Sequence, residues 1–265
     1  MLYVKRNSMR AIWTGSIGFG LVNIPVKMYS AVQASELNLD MLDSKDQSNI
    51  KFQRVNATTG KIVPYDKIVR AYKLEGNYVV LDEEDFKKAS PEKTKMIEIS
   101  EFVMENEINS MYYETPYYLE PEKSGTKAYG LLRDALSKTG KVGLGNFVLR
   151  SKESLALLKV VNNLIILQKI RFEQEIRSAE ELHVPDGESK AAELKMAIAL
   201  IDQLSGPFDI SKYKDTYSEE LMKLIEAKAK GKKLVTPKLT VVHSKSKDLM
   251  EQLKASLENK KKKAS

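Results

Sequence analysis

MRAIWTGSIGFGLVNIPVKMYSAV, residues 9–32, is the stretch from which the fold can be worked out. It holds the only tryptophan, Trp13, three closely spaced glycines, and Pro25 inside an apolar run. Alternate residues from Val22 to Met28 are apolar, which is typical of a strand with one buried face. The stretch therefore predicts two strands, over residues 11–14 and 19–30, with glycines between them.

The three glycines do not form a nucleotide-binding loop. Such a loop leads into a helix whose N-terminus binds phosphate, whereas Gly20 leads into a β-rich run. A tight turn or bulge between strands is the favoured interpretation. Pro25 cannot donate a ladder hydrogen bond, so it predicts a sheet edge or a break in the strand.

Short alternating segments continue to residue 169. They predict strands near 50–56, 61–63, 68–74, 77–81, 96–105, 111–113, 117–119, 141–150, 154–161 and 163–169. Thr58-Thr59-Gly60 and Glu75-Gly76-Asn77 have the composition of hairpin turns. Two helices, one beginning at Asp82 and one over 126–138, interrupt the strands. The pattern predicts a mixed β/α, mainly β fold with an antiparallel β-barrel core.

The character of the chain changes after residue 187. Amphipathic helices are expected over 190–204 and over 218–230, the second capped by Ser218, and a shorter one over 246–258. The apolar faces of the first two include Leu194, Ile198, Ile201, Leu221 and Leu224. From the residues alone, these helices either pack on their own barrel or reach a partner. We expect three parts: a core over 1–187, a helical arm over 188–231 and a lysine-rich, partly flexible region over 232–265.

Charge is arranged in blocks. The net charge of +7 arises mainly from residues 228–265, which hold twelve lysines and three carboxylates. Residues 45–75 and 123–171 are basic, while residues 81–122 and 172–227 are acidic. A surface without a task usually mixes its signs, so the blocks predict a positive surface and a separate negative one.

Composition and motifs argue against several classes of protein. There are no cysteines, which excludes disulfides and thiolate metal sites and fits a reducing, cytoplasmic setting. No apolar leader or membrane-spanning run is present, so neither secretion nor a membrane partner is expected. His183 and His243 are isolated, and the run from Asp82 to Asp85 is better explained as helix capping than as a nuclease metal site. No catalytic residue, metal or cofactor is predicted.

The basic blocks suit nucleic acid. Lysine and arginine on strands and loops contact phosphates, which sets affinity without reading sequence. Ordinary solvated strand faces remain the alternative. The candidate DNA contacts are Lys27, Lys51, Arg54, Lys61, Arg70, Lys73, Arg150 and Lys152.

The opening stretch AIWTGSIGFGLVNIPVKMYSA resembles the N-terminal signature of the bacterial Ku proteins. The resemblance continues through YYLEPEKSGTKAYGLLRDAL, KVGLGNFVLRSKESLALL, AELKMAIALID and DTYSEELMKLIEAKAKG, over about residues 9–231. It implies a homodimeric ring that binds the ends of double-stranded DNA in non-homologous end joining, near the bacterial nucleoid. Because the signature starts near residue 9, no N-terminal α/β domain is expected.

The resemblance also implies roles for particular regions. The segment at about 45–100 would be a bridge that closes a ring around DNA, and the arm would hold the dimer together. A region after the arm would recruit an ATP-dependent DNA ligase; the candidate docking stripe is Leu249, Met250, Leu253 and Leu257. The tail lysines would add weak DNA contacts: Lys260, Lys261, Lys262 and Lys263.

The sequence departs from this family at one turn of the bridge. Many bacterial Ku proteins have Cys-x-x-Cys-Gly there, whereas this chain has Asn56-Ala57-Thr58-Thr59-Gly60. A metal or redox role at that turn is therefore excluded. Two other functions stay open at this point: a nucleic-acid-binding adaptor that binds duplex laterally without needing an end, and a metal-dependent nuclease.

Overall fold

The computed structural model describes residues 9–89, 95–150, 152–231 and 252–253. They form two compact units: the chain up to Ala34 with Leu39–Ser178, and Ser35–Asn38 with the chain from Ala179. The described strands are β1 Trp13–Phe19, β2 Val22–Ser30, β3 Arg70–Leu74, β4 Asn77–Leu81, β5 Met96–Met104, β6 Tyr113–Pro121, β7 Lys141–Leu149, β8 Lys152–Val161 and β9 Leu164–Ile170. The described α-helices are α1 Glu83–Ala89, α2 Thr126–Thr139, α3 Ala191–Leu204 and α4 Thr216–Ala229.

Seven strands form a closed barrel in the order β1-β2-β6-β9-β8-β7-β5, which confirms the predicted architecture. All neighbours are antiparallel except β1 and β5, which pair in parallel from Ser16↔Met96 to Gly18↔Glu98. The chain leaves the barrel after β2 and returns as β5 beside β1. Strands β3 and β4, which lie in this excursion, form a separate two-stranded sheet.

The opening stretch forms one hairpin, longer than the sequence pattern predicted. Strand β1 runs through Gly15 and Gly18, and the turn is Gly20-Leu21, with Gly20 at a φ of 56°. Pro25 lies inside β2, beside the first pair of the β2–β6 ladder at Val26. Its carbonyl still accepts from the backbone N–H of Glu122 at 2.9 Å. The β2–β6 pairing therefore begins just after Pro25, which has no N–H to donate, but the strand itself continues through the proline.

The barrel interior is apolar, and α2 contributes three buried side chains to the same core. The buried cluster inside the barrel combines alternate residues of the strands with one face of α2: Ile17, Ile24, Val26, Met28, Ile97, Leu119, Phe147, Leu158, Ile165, Leu167, Tyr129, Leu132 and Leu136. Helix α2 ends at Gly140, whose φ of 65° is the left-handed cap conformation that glycine favours. The helix predicted over 126–138 is confirmed.

Two turns lie between β2 and β3, each with a single bridge: Leu42↔Asn49 in the first and Val55↔Ile62 in the second. The second turn replaces the strands predicted near 50–56 and 61–63. In the second turn the Asn56 side-chain oxygen accepts the N–H groups of Thr58 and Thr59 at 2.9 and 3.0 Å. The first turn has the same pattern of main-chain hydrogen bonds, with Asp43 in the position that Asn56 has in the second. Side-chain oxygens that accept hydrogen bonds from the nearby backbone compete with the hydrogen bonds of a sheet. These segments therefore form turns in place of strands, and the hydrogen bonds of Asn56 hold the second turn without a metal ion.

The β3–β4 hairpin and α1 follow the sequence closely. Glu75 and Gly76, both with positive φ, form the two-residue turn between Leu74 and Asn77. The Asp82 side chain accepts the N–H groups of Glu84 and Asp85 at 2.8 and 2.9 Å. The carboxylates at the start of α1 therefore cap the helix, as expected.

The second unit carries the two predicted arm helices, with one correction. The cap of α4 is Asp215, not Ser218: its carboxylate accepts both the N–H and the hydroxyl of Ser218, at 3.1 and 2.7 Å. The Ser35 hydroxyl, in the same unit, also donates to this carboxylate, at 3.0 Å from the Oδ2 that accepts the Ser218 hydroxyl. These donors hold the pKa of Asp215 below its usual value. None of the described helices has the length and apolar composition needed to span a bilayer.

Candidate nucleic-acid interface

The excursion between β2 and β5 has almost no interior of its own. We call residues 39–89 the bridge segment; it includes β3, β4 and α1 and ends before β5, which belongs to the barrel although the expected bridge ran to about residue 100. None of residues 39–89 is buried. Many large apolar side chains in it are about half exposed or more: Met41, Leu42, Phe52, Val55, Ile62, Tyr65, Val69, Tyr72, Leu74, Tyr78, Val79 and Val80. So large an exposed apolar surface marks an interaction surface.

The five predicted DNA contacts of the bridge segment are all exposed: Lys51, Arg54, Lys61, Arg70 and Lys73. Two of them stack on aromatic rings, with the Arg54 guanidinium 5.1 Å from the Tyr65 ring and the Arg70 guanidinium 5.1 Å from the Phe86 ring. Lys73 is three positions after Arg70 along β3, an odd spacing, so their side chains point to opposite faces. The structure therefore does not bring all five to one surface.

The three predicted contacts on the barrel lie towards one end of it. Arg150 is in the turn between β7 and β8, and Lys152 begins β8. That turn is at the start of β5, because Glu98 pairs with Asn146 near the end of β7. Lys27 lies near the end of β2, opposite Glu120 of β6. The chain leaves the barrel and returns to it at this same end, so these cations lie near the root of the bridge segment.

The predicted separation into a positive and a negative surface is only partly correct. Lys159 of the basic block bonds Glu105 of the acidic block at 2.6 Å. Glu114 of the acidic block contacts Lys169 at 2.6 Å and Arg171 at 3.5 Å. Strand neighbours in the barrel are not sequence neighbours, so blocks that are distant in the chain neutralise each other. Lys169 of β9 and Arg171 just after it are therefore poor candidates for DNA contact.

The Glu114 ion pairs predict a pH dependence of stability. The hydrogen bond from Lys169, with the charges of Arg171 and Lys152 adding to it, holds the pKa of Glu114 below its usual value. A lowered folded-state pKa stabilises the fold above the unfolded pKa, near 4.3, and this contribution is lost as pH falls through the folded value. Glu114→Gln should therefore lower the free energy of unfolding by about 1 kcal/mol at pH 7, and by less below about pH 4.

Urea unfolding of both proteins from pH 3 to pH 8 checks this prediction. Glu101→Gln is the matched control, because Glu101 is exposed and has no ion pair within the part of the chain that the structure describes. A difference between Glu114→Gln and the parent that stayed constant over the whole pH range would contradict the assignment.

No catalytic arrangement is found among the described residues. They contain no group of three or more His, Asp or Glu side chains able to hold a metal ion. His183 is exposed, and His243 lies outside the described residues. The nuclease alternative therefore gains no support from this part of the chain.

The arm residues and the tail are described to different extents. In α3, Leu194, Ile198 and Ile201 are each about half exposed or more; in α4, Leu224 is exposed and Leu221 is half-buried. Of the proposed ligase-docking stripe, only Leu253 is described, in helical conformation and half-buried. The others lie outside the described residues: Leu249, Met250, Leu257, and the tail lysines Lys260, Lys261, Lys262 and Lys263.

Comparison with known proteins gives consistent matches. A family model described as the Ku70/Ku80 beta-barrel domain matches residues 18–196. The chain is similar to the non-homologous end joining protein Ku of Coxiella burnetii, with 38% identity over 96% of each chain. Proteins of the same name are 40% identical in Bacillus subtilis, over 94% of this chain and 82% of the relative, and in Archaeoglobus fulgidus, over 94% and 99%.

The chain also has a remote likeness to one domain of known structure. The SPOC domain of human PHD-finger protein 3 is 12% identical, with a TM-score of 0.30, over 61% of this chain and 97% of that chain.

Proposed function

Because the chain belongs to the Ku beta-barrel family, we propose that it acts in non-homologous end joining as a non-catalytic homodimer. The dimer forms a ring that binds ends of double-stranded DNA without reading their sequence. The observation that carries this proposal is the bridge segment: 51 consecutive residues, 39–89, none of them buried, that leave and rejoin one end of a complete barrel.

The exposed apolar side chains of the bridge segment support a second copy as its partner. Burying apolar surface contributes about 25 cal/mol per Å², so leaving most of these large apolar side chains exposed is costly unless a partner covers them. The apolar faces of α3 and α4 support the same partner, with Leu194, Ile198, Ile201, Leu221 and Leu224 as the contact residues. We assign the bridge segment to ring closure and the arm to dimerisation.

The exposed cations support contact with the DNA backbone. Lys51, Lys61 and Lys73 carry compact charges suited to phosphate, while Arg150 and Lys152 extend the basic track at the root of the bridge segment. Phosphate contacts set affinity and register but carry no sequence information. Specificity for ends would then come from topology, because a closed ring reaches the duplex only by threading onto an end.

Recruitment of an ATP-dependent DNA ligase remains a proposal for the region after the arm, with Leu249, Met250, Leu253 and Leu257 as the docking stripe. The lysines from 260 to 263 would bind DNA backbone weakly, and this binding would weaken as salt rises. The sequence pattern supports this assignment: four apolar residues at helical spacing are followed by four consecutive lysines.

One binding experiment tests the ring. The same plasmid is offered to the purified protein as a linear duplex and as a covalently closed relaxed circle, over 50–300 mM salt. Binding to the linear form should be at least about tenfold tighter at every salt concentration, because the circle offers no end. A linear duplex with both ends blocked by streptavidin should bind like the circle.

Equal affinity for linear and circular DNA would overturn the ring proposal and favour the lateral adaptor. A chain ending at residue 231 separates the tail from the ring: its end preference should persist, and only its salt-sensitive lateral binding should fall. Magnesium-dependent cutting of the plasmid would instead revive the nuclease alternative.

A further inference from the structure

We propose that the β3–β4 hairpin contacts DNA through one face only, and that Lys73 and Tyr78 are the contacting residues on that face. The proposal deepens the DNA binding proposed above and rests on it. It adds Tyr78, which the basic pattern did not identify, and it removes Arg70 from the DNA contacts.

The strand register defines the two faces. Residues directly opposite in an antiparallel pair have side chains on the same side, and Lys73 is opposite Tyr78 while Ala71 is opposite Val80. We call the side that carries these four residues the open face. The other side, which we call the covered face, carries Arg70, Tyr72, Leu74, Asn77, Val79 and Leu81.

Helix α1 contacts the covered face at Arg70. The Phe86 ring stacks on the Arg70 guanidinium at 5.1 Å, and Leu81, opposite Arg70, is half-buried. The Arg70 charge is therefore already held by an aromatic ring. Helix α1 begins with Glu83, Glu84 and Asp85, all acidic. These carboxylates follow within four residues of Leu81, which pairs with Arg70, so they disfavour a phosphate backbone near Arg70.

The open face has the opposite chemistry. Lys73 is its only cation, and it has no ion pair among the described residues. Tyr78 stands directly across from it and is 72% exposed. An ammonium group and a phenol hydroxyl both donate to phosphate oxygens, and neighbouring cross-strand side chains lie about 5 Å apart at Cβ. The pair can therefore grip one stretch of backbone together.

The hairpin supplies its own matched controls. Tyr72, on the covered face, is 66% exposed, close to the 72% of Tyr78. Tyr72→Phe therefore removes a similarly accessible hydroxyl from the face that is not expected to contact DNA. Arg70→Gln removes a charge there, as Lys73→Gln does on the open face. Affinity of the full chain for a blunt duplex is measured by fluorescence anisotropy from 50 to 300 mM salt, and thermal melts verify that each variant is folded.

Tyr78→Phe should weaken binding about fivefold, the value of one hydrogen bond. Lys73→Gln should reduce the slope of log affinity against log salt by about 0.9, the value of one phosphate contact. Tyr72→Phe and Arg70→Gln should change affinity by less than about twofold and leave the slope unchanged. Losses confined to Tyr72→Phe and Arg70→Gln, or equal for both faces, would overturn the assignment, as would no loss in any variant.

The face assignment and the ring can fail separately. Suppose that the unmodified chain binds closed circles and linear DNA with equal affinity, while Tyr78→Phe and Lys73→Gln bind DNA more weakly than Tyr72→Phe and Arg70→Gln. The open-face assignment is then supported and the ring is wrong. If end preference holds and all four variants bind like the parent, the ring stands and the open face is wrong.

Discussion

Replacing Gly145 by alanine is expected to destabilise the barrel by about 3 kcal/mol, at the upper end of the overpacking range. Gly145 of β7 pairs with Ile99 of β5, and a Cβ added there would lie 2.0 Å from the Glu98 carbonyl oxygen. The obstacle is backbone in the strand that closes the barrel, so no side-chain rotation relieves it. On the other side of β5, a Cβ at Gly15 would lie 2.2 Å from the Lys95 carbonyl oxygen.

Urea unfolding followed by circular dichroism measures this effect, and α2 offers a matched control. A Cβ at Gly130 meets no atom within 4 Å, and alanine in a helix interior is about 0.5–1 kcal/mol more favourable than glycine. Gly130→Ala should therefore raise the free energy of unfolding slightly. If Gly145→Ala does not fold, its failure beside a folded Gly130→Ala supports the same conclusion. A Gly145→Ala protein as stable as the parent would show that β5 and β7 can separate at no cost.

Removing the hydroxyl of Tyr129 is expected to cost about 2 kcal/mol, within the range for buried groups left unpaired. Strands β6 and β9 pair up to Tyr118↔Ile166. At the next step the Tyr129 hydroxyl stands between them: it donates to the Leu119 carbonyl at 2.8 Å and accepts from the Ile165 N–H at 2.7 Å. A side chain of α2 thus replaces a sheet hydrogen bond. Burial raises the pKa of Tyr129, so the hydroxyl keeps its proton.

Tyr129→Phe keeps the ring but leaves a backbone donor and a backbone acceptor unpaired inside the barrel. Tyr117→Phe is the control, because Tyr117 also packs against the barrel core and its hydroxyl makes no hydrogen bond within the described residues. It should change the free energy of unfolding by less than about 0.5 kcal/mol. Equal effects of the two substitutions would mean that the Tyr129 hydroxyl does not join α2 to the sheet.

Much of the fold could be predicted because its signals are local. Alternating apolar residues marked β2, β7, β8 and β9, and turn residues marked the β3–β4 hairpin. Gly140 and the carboxylates after Asp82 marked helix ends. Each of these signals depends on backbone geometry within a few residues, which the sequence carries directly. The family resemblance was also local, since its motifs are unbroken runs.

Other features depend on strands that are distant in the chain. The parallel pairing of β5 with β1 has no local signal, because it depends on where the chain re-enters the barrel. The charge blocks suggested two separate surfaces, but the barrel order places Lys159 near Glu105 and Lys169 beside Glu114. The turn at Asn56 looked like the end of a strand, since alternation does not record that its side-chain oxygen would bond the local backbone.

The candidate site divides in the same way. The sequence by itself determined that residues 45–75 are basic and that residues 39–89 contain many apolar side chains, because composition fixes charge and hydropathy. The tertiary structure decided which cations remain available to a partner: Phe86 of α1 stacks on Arg70, whereas Lys73 and Tyr78 lie on the open face. The physical reason is that charge belongs to a residue, whereas its availability depends on which surface its neighbours cover.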